Sequence, residues 1–144
     1  VYGDAFDILE KERELDGIFA AQFIEHIHFE QLVRLLELAY EKLIPGSYLV
    51  LETQNPMSLA IYANAFYIDP SHNKPVHPLT VQYLLEKIGF SEISVLFTEN
   101  SRLPFEIPRL NIEHVENIEK FNEAMAQAGR MLFGSQDYAI VAKR

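Results

Sequence analysis

The chain has 144 residues, 49% apolar and 23% charged, a composition that fits one globular domain and argues against disorder. Its formal charge of −9 argues against a protein that binds nucleic acid by neutralising phosphates. The absence of cysteine excludes disulfides, thiolate metal sites and cysteine nucleophiles and fits a cytoplasmic location, and no apolar run reaches the roughly 20 residues of a membrane span.

In chain order, residues 1–5 (Val1 to Ala5) read as the end of a strand leaving through Gly3. Residues 5–14 suit a short surface helix, with Phe6, Ile8 and Leu9 apolar among Asp7, Glu10, Lys11 and Glu12. The apolar run 15–21 predicts a strand buried on both faces. Over 29–43, Leu32, Leu35, Leu36, Ala39, Tyr40 and Leu43 recur at helical spacing, and Pro45 and Gly46 stop that helix. Residues 47–53 read as a second buried strand, ended by Asn55 and Pro56. A short helix over 58–67 precedes a turn-rich loop, 69–75. Pro78 opens a helix through Leu84, Leu85 and Ile88 that Gly89 closes.

Residues 91–98 are a third strand and 99–111 a proline-punctuated loop. An amphipathic helix spans 113–131, marked by Val115, Ile118, Phe121, Met125 and Ala128, and a last strand covers 137–142. Strands separated by helices of this length predict an α/β fold around a mainly parallel sheet, in which a final antiparallel strand is common. Strand order does not follow from periodicity.

Three places can carry chemistry. Gln22, Glu25 and His26 follow the first buried strand directly, where open α/β sheets bind ligands, and their spacing brings them onto one side of a helical turn. The bland alternative is a polar loop with a surface histidine. The loop after the second strand holds Asp69, His72 and His77, which can ligate a metal or act as a general base, or can be a rigid, solvated turn. Asp4 can accept a hydrogen bond from an adenine amino group or simply cap the following helix. Phosphate-loop, nucleophile-elbow and H-E-x-x-H patterns are missing.

Taken in order, these pieces resemble the second half of class I S-adenosylmethionine-dependent methyltransferases. The resemblance rests on the run from Leu15 to Ile27, and on 43–53, where Pro45 and Gly46 match the "L-x-P-G-G" turn with Ser47 in place of its second glycine. Residues 66–72, followed by Pro75, Val76, His77 and Pro78, look like a branch of small bacterial methyltransferases associated with surface polysaccharides. Gly3, Asp4 and Ala5 match the turn after the family's third strand. The match covers most of the chain and is weakest over about 102–128.

The resemblance implies a partial Rossmann-like sheet made of the family's strands four to seven, the last antiparallel. The glycine-rich loop and ribose-binding acid would precede Val1, so the chain is expected to be the C-terminal part of one domain, with an incomplete cofactor site. Residues 1–144 would form that part, with lid and acceptor segments at about 57–78 and 99–131. The cofactor implied is S-adenosylmethionine. Asp4, Ala5 and Phe6 would hold its adenine, and Ala21, Gln22 and Phe23 would line the cofactor near its methyl.

In small-RNA 2′-O-methyltransferases and ubiquinone-pathway O-methyltransferases, an E-x-x-E-H segment here ligates a metal, completed by a later histidine. The corresponding set is Glu25, His26 and His72, but the neutral Gln22 amide replaces a carboxylate, which disfavours a hard divalent ion. The other role for His26 or His72 is catalytic, accepting a proton from an acceptor hydroxyl.

Two functional classes follow. One is methyl transfer to a hydroxyl of a small molecule or glycan. The other is a non-catalytic fragment or a degenerate methyltransferase-like scaffold acting in assembly. Strand 15–21 would lack its usual neighbour, so the chain is expected to hide that edge as a homo-oligomer.

Overall fold

The computed structural model describes residues 2–144. Among these, the elements run α1 (Ala5–Lys11), β1 (Leu15–Ala21), α2 (Phe29–Lys42), β2 (Leu43–Gln54), α3 (Ala60–Asn64), α4 (Pro78–Ile88), β3 (Ser91–Phe97), α5 (Ile118–Phe133) and β4 (Asp137–Lys143). Short 3₁₀ turns lie at Phe66–Ile68 and Glu99–Ser101.

The strands form one sheet in the order β1-β2-β4-β3. β1 and β2 are parallel, while β4 runs antiparallel to both β2 and β3. Three strands therefore point one way, and the last is wedged between two of them. The α/β class and the antiparallel final strand match expectation. Helix α2 supplies the crossover that parallel neighbours require.

Alternation along β2 and β4 builds one buried face from Leu49, Leu51 and Thr53 and from Tyr138, Ile140 and Ala142. Onto it α2 lays Leu32, Leu35, Leu36 and Ala39, while α4 lays Val81 and Leu85. The spacing of the α2 residues is that of a single helical stripe, so one continuous apolar cluster forms.

The first two strands are not buried on both faces. Phe19 is 66% exposed and Tyr48 43%, because the helical side chains of the core come from α2 and α4 over the opposite face. β1 is also an edge strand.

The boundaries shift for local reasons. Val1 lies outside the described residues, and Tyr2 to Asp4 make no strand: Asp4 instead caps α1, accepting the amides of Phe6 at 2.9 Å and Asp7 at 3.2 Å. β2 starts earlier than expected, at Leu43, and Gly46 at φ 88° turns the chain into the sheet. Asn117, in the left-handed region at φ 62°, delays α5 to Ile118. Among the described residues no helix is long and apolar enough to cross a membrane.

Gly89 ends α4 at φ 118°, where a Cβ would also sit 3.1 Å from the Tyr40 hydroxyl. Gly89→Ala is expected to destabilise the fold by about 1–2 kcal/mol, read as a lower denaturant midpoint at unchanged slope.

Candidate functional site

β1 and β2 end side by side, with Ala21 opposite Glu52. The next residue, Gln22, donates its amide to the Glu52 carbonyl at 2.9 Å and adopts φ 49°. This conformation is uncommon outside glycine and turns the chain abruptly out of the sheet. The Gln22 side-chain amide then reaches Asp137 Oδ1 at 3.3 Å, at the start of β4.

The turn that follows buries Glu25 completely. Its Oε2 accepts the Thr53 hydroxyl at 2.7 Å, while its Oε1 has no hydrogen-bond partner among the described residues. The Asn73 amide donates to the Glu25 carbonyl at 2.8 Å and ties the loop after β2 onto this turn. That tie brings His72 to His26, with ring centroids 4.6 Å apart, edge to face. One ligand atom each of Glu25, His26 and His72 then lie within 4.8 Å of one another.

Hydrogen-bond chemistry orients both rings. His72 Nδ1 lies 2.6 Å from the Phe66 carbonyl, which can only accept, so Nδ1 carries the proton. His26 Nδ1 meets Ser71 Oγ at 3.0 Å, and Ser71 Oγ donates to Asp69 Oδ1 at 2.6 Å. The Ser71 hydroxyl, and then its backbone amide, hold the Asp69 carboxyl below its ordinary range. Nearby, Tyr138 donates its hydroxyl to the Val76 carbonyl at 2.9 Å. Burial, helped by the negative charge of Glu25, pushes that phenol far above its ordinary value.

The structure brings Glu25, His26 and His72 together and sets Gln22 just before them. Ala21 is exposed at the strand end and Phe23 is half-buried beside it. Asp4, Ala5 and Phe6 lie at the start of α1, and among the described residues no hydrogen bond or ring contact joins them to Gln22 or His72. His77 leaves the loop cluster, its Nδ1 accepting the Leu79 amide at 3.2 Å to cap α4.

Sequence reasoning missed Thr53, Tyr138 and the bond between Ser71 and His26. The Asp69–Ser71 turn itself was legible, since Asp at that spacing accepts the amide two residues on. A cavity of about 370 Å³ opens where β2 and β3 end, lined by Asn55, Met57, Phe97, Glu99, Arg102 and Met131 among others. Both segments expected to form a lid thus contribute to one cavity wall.

No family model matches the chain, and a search of curated proteins gives no match. Among solved structures, a SAM-dependent methyltransferase from Archaeoglobus fulgidus is 40% identical over 100% of this chain, with a TM-score of 0.86. The chain spans 66% of that relative's length. Phosphoethanolamine N-methyltransferase 2 of Haemonchus contortus, in complex with S-adenosyl-L-methionine, is 13% identical, with a TM-score of 0.56. That match takes in 94% of this chain and 35% of that one. A mycolic acid cyclopropane synthase bound to SAH is 14% identical, with a TM-score of 0.56, over 94% of this chain and 58% of that one. The last two show likeness of fold alone.

Thr53→Val keeps the side-chain shape and removes the donor to Glu25. It is expected to cost about 1–3 kcal/mol in unfolding free energy, measured by chemical denaturation, because a buried carboxyl oxygen loses its partner.

Proposed function

This chain belongs to the class I S-adenosylmethionine-dependent methyltransferases, and we propose that the intact protein moves a methyl group to a hydroxyl of a small molecule or glycan. Its methyl-transfer part is carried by 40% identity over the whole chain to a SAM-dependent methyltransferase, and its hydroxyl acceptor is proposed from the two imidazoles that can take a proton. A cytoplasmic location is part of the proposal.

The chain's own residues fit the cofactor's edge. Both capping bonds of Asp4 go to Oδ1, which leaves Oδ2 to accept from an adenine amino group beside Ala5 and Phe6. Ala21 and Gln22 are exposed where β1 ends, and with Phe23 they are assigned to the wall near the methyl. When bound, the cofactor would supply an electrophilic methyl on a sulfonium for the acceptor oxygen. His26 or His72 takes the hydroxyl proton at Nε2, the nitrogen opposite its bonded Nδ1. The open cavity where β2 and β3 end is assigned to a distal part of the acceptor, since neither histidine lines it.

A second reading has a divalent cation held by Glu25, His26 and His72. It is favoured by the unpartnered, fully buried Glu25 Oε1 and by the spacing of the three ligand atoms. A cation there would polarise the acceptor oxygen.

The alternative of a non-catalytic piece keeps one physical support. β1 leaves one backbone edge unpaired and its uncovered face carries the 66%-exposed Phe19, so the 144-residue chain on its own is assigned a self-associating behaviour. Light scattering should give a mass above that of one chain, and a clean monomer at high concentration removes this part of the reading.

Calorimetry of the intact protein with S-adenosylmethionine tests the main proposal, and absence of binding overturns it. With turnover established, His26→Ala is expected to lower kcat by about 10²–10⁴-fold if His26 is the base. Loss of turnover on chelation, restored by a divalent ion, selects the metal reading instead.

A further inference from the structure

We infer that Asp69 and Ser71 are positioning residues that lock His26 in one tautomer, with its proton on Nδ1 and a lone pair on Nε2. This rests on the methyl-transfer reading for its purpose, but not for its chemistry.

The argument is one of proton counting. Ser71 Oγ has a single hydrogen and two close neighbours, Asp69 Oδ1 at 2.6 Å and His26 Nδ1 at 3.0 Å. A carboxylate can only accept, and it is the nearer and more strongly attracting partner. The hydroxyl proton therefore goes to Asp69. Ser71 Oγ is left with lone pairs toward the ring, so the bond to His26 exists only if Nδ1 carries a hydrogen.

The arrangement is built, because the Ser71 amide also donates to Asp69 Oδ1, at 2.8 Å, and so fixes where the hydroxyl stands. His72 is locked in the same sense by the Phe66 carbonyl. Two neighbouring imidazoles thus present the same nitrogen, Nε2, for whatever they take up.

The lock acts in both readings of the site. If His26 accepts a proton, the ring gains positive charge, and the Asp69 carboxylate lies one hydroxyl away to offset it. If His26 holds a cation, the same pair orients the ligand nitrogen, as partners of metal-bound histidines do. Asp69 and Ser71 are exposed and His26 is half-buried, so water competes for these bonds and the tautomer ratio measures what they add.

Nitrogen-15 spectra of the histidine rings of the intact protein test this without cofactor, at a pH of about 8.5, above the ordinary imidazole range. His26 is expected to show a protonated Nδ1 and an unprotonated Nε2. Ser71→Ala should lower the ratio of the Nδ1–H to the Nε2–H form by about tenfold, the worth of one hydrogen bond. Ser71→Thr, which keeps the hydroxyl, should preserve the ratio. Asp69→Ala frees the Ser71 proton to donate to Nδ1 and should drive the ring to the Nε2–H form.

An Nε2–H tautomer in the unaltered protein overturns the inference. So does an unchanged ratio in Ser71→Ala and Asp69→Ala when His72 keeps its own signals, which report an intact loop. A protein that shows the tautomer shift but binds no S-adenosylmethionine upholds the lock and sinks the methyl-transfer reading, so the two failures are distinguishable.

Discussion

A carboxyl group that is wholly withdrawn from water must find hydrogen bonds inside the protein, and Glu25 finds only part of them. Its partner Thr53 stands on β2, directly opposite Tyr138 on β4, so the carboxyl is docked on the buried face of the sheet. The backbone of Glu25 in turn receives the loop that carries His72. Two segments far apart in sequence therefore meet at one residue, whose carbonyl holds the loop while its side chain docks on β2. Folding alone would be served as well by an apolar residue at position 25. Such a residue is absent here, next to a left-handed Gln22 and two imidazoles, so the departures from local stability cluster at one place.

The parts of the fold that were legible are those governed by short-range periodicity. Leu32, Leu35, Leu36 and Ala39 declare α2 because their spacing matches one helical face, and all four are buried. Gly89 declares the end of α4 because few other residues tolerate its backbone angle. The runs in β1 and β2 were over-read. An apolar stretch says that a strand fits there, yet how many of its faces are covered depends on helices elsewhere, and Phe19 and Tyr48 show the difference. The start of α5 was misplaced because Val115 continues the apolar period although Asn117 breaks the backbone.

The site was legible by position more than by partners. Glu25 and His26 follow a strand that ends in the ligand-binding crevice of such sheets, so topology alone nominated them. His72 and His77 share a loop, and spacing could not say which would join them. The structure decides through two local contacts: His77 is taken by the start of α4, while the Phe66 carbonyl holds His72 inward. The partnership of Ser71 with His26 spans 45 residues and depends on the Asn73–Glu25 bond, which no sequence period encodes.

The loop after β2 therefore has two inseparable duties. It delivers His72 through the Phe66 carbonyl, and it steadies His26 through Ser71 and Asp69. Its anchor is a backbone bond to the carbonyl of Glu25, the residue whose carboxyl completes the cluster. Displacing the loop would take His72 from the cluster and Ser71 from His26 together. The placement of His72 and the orientation of His26 are thus coupled, because the same short segment contributes to both.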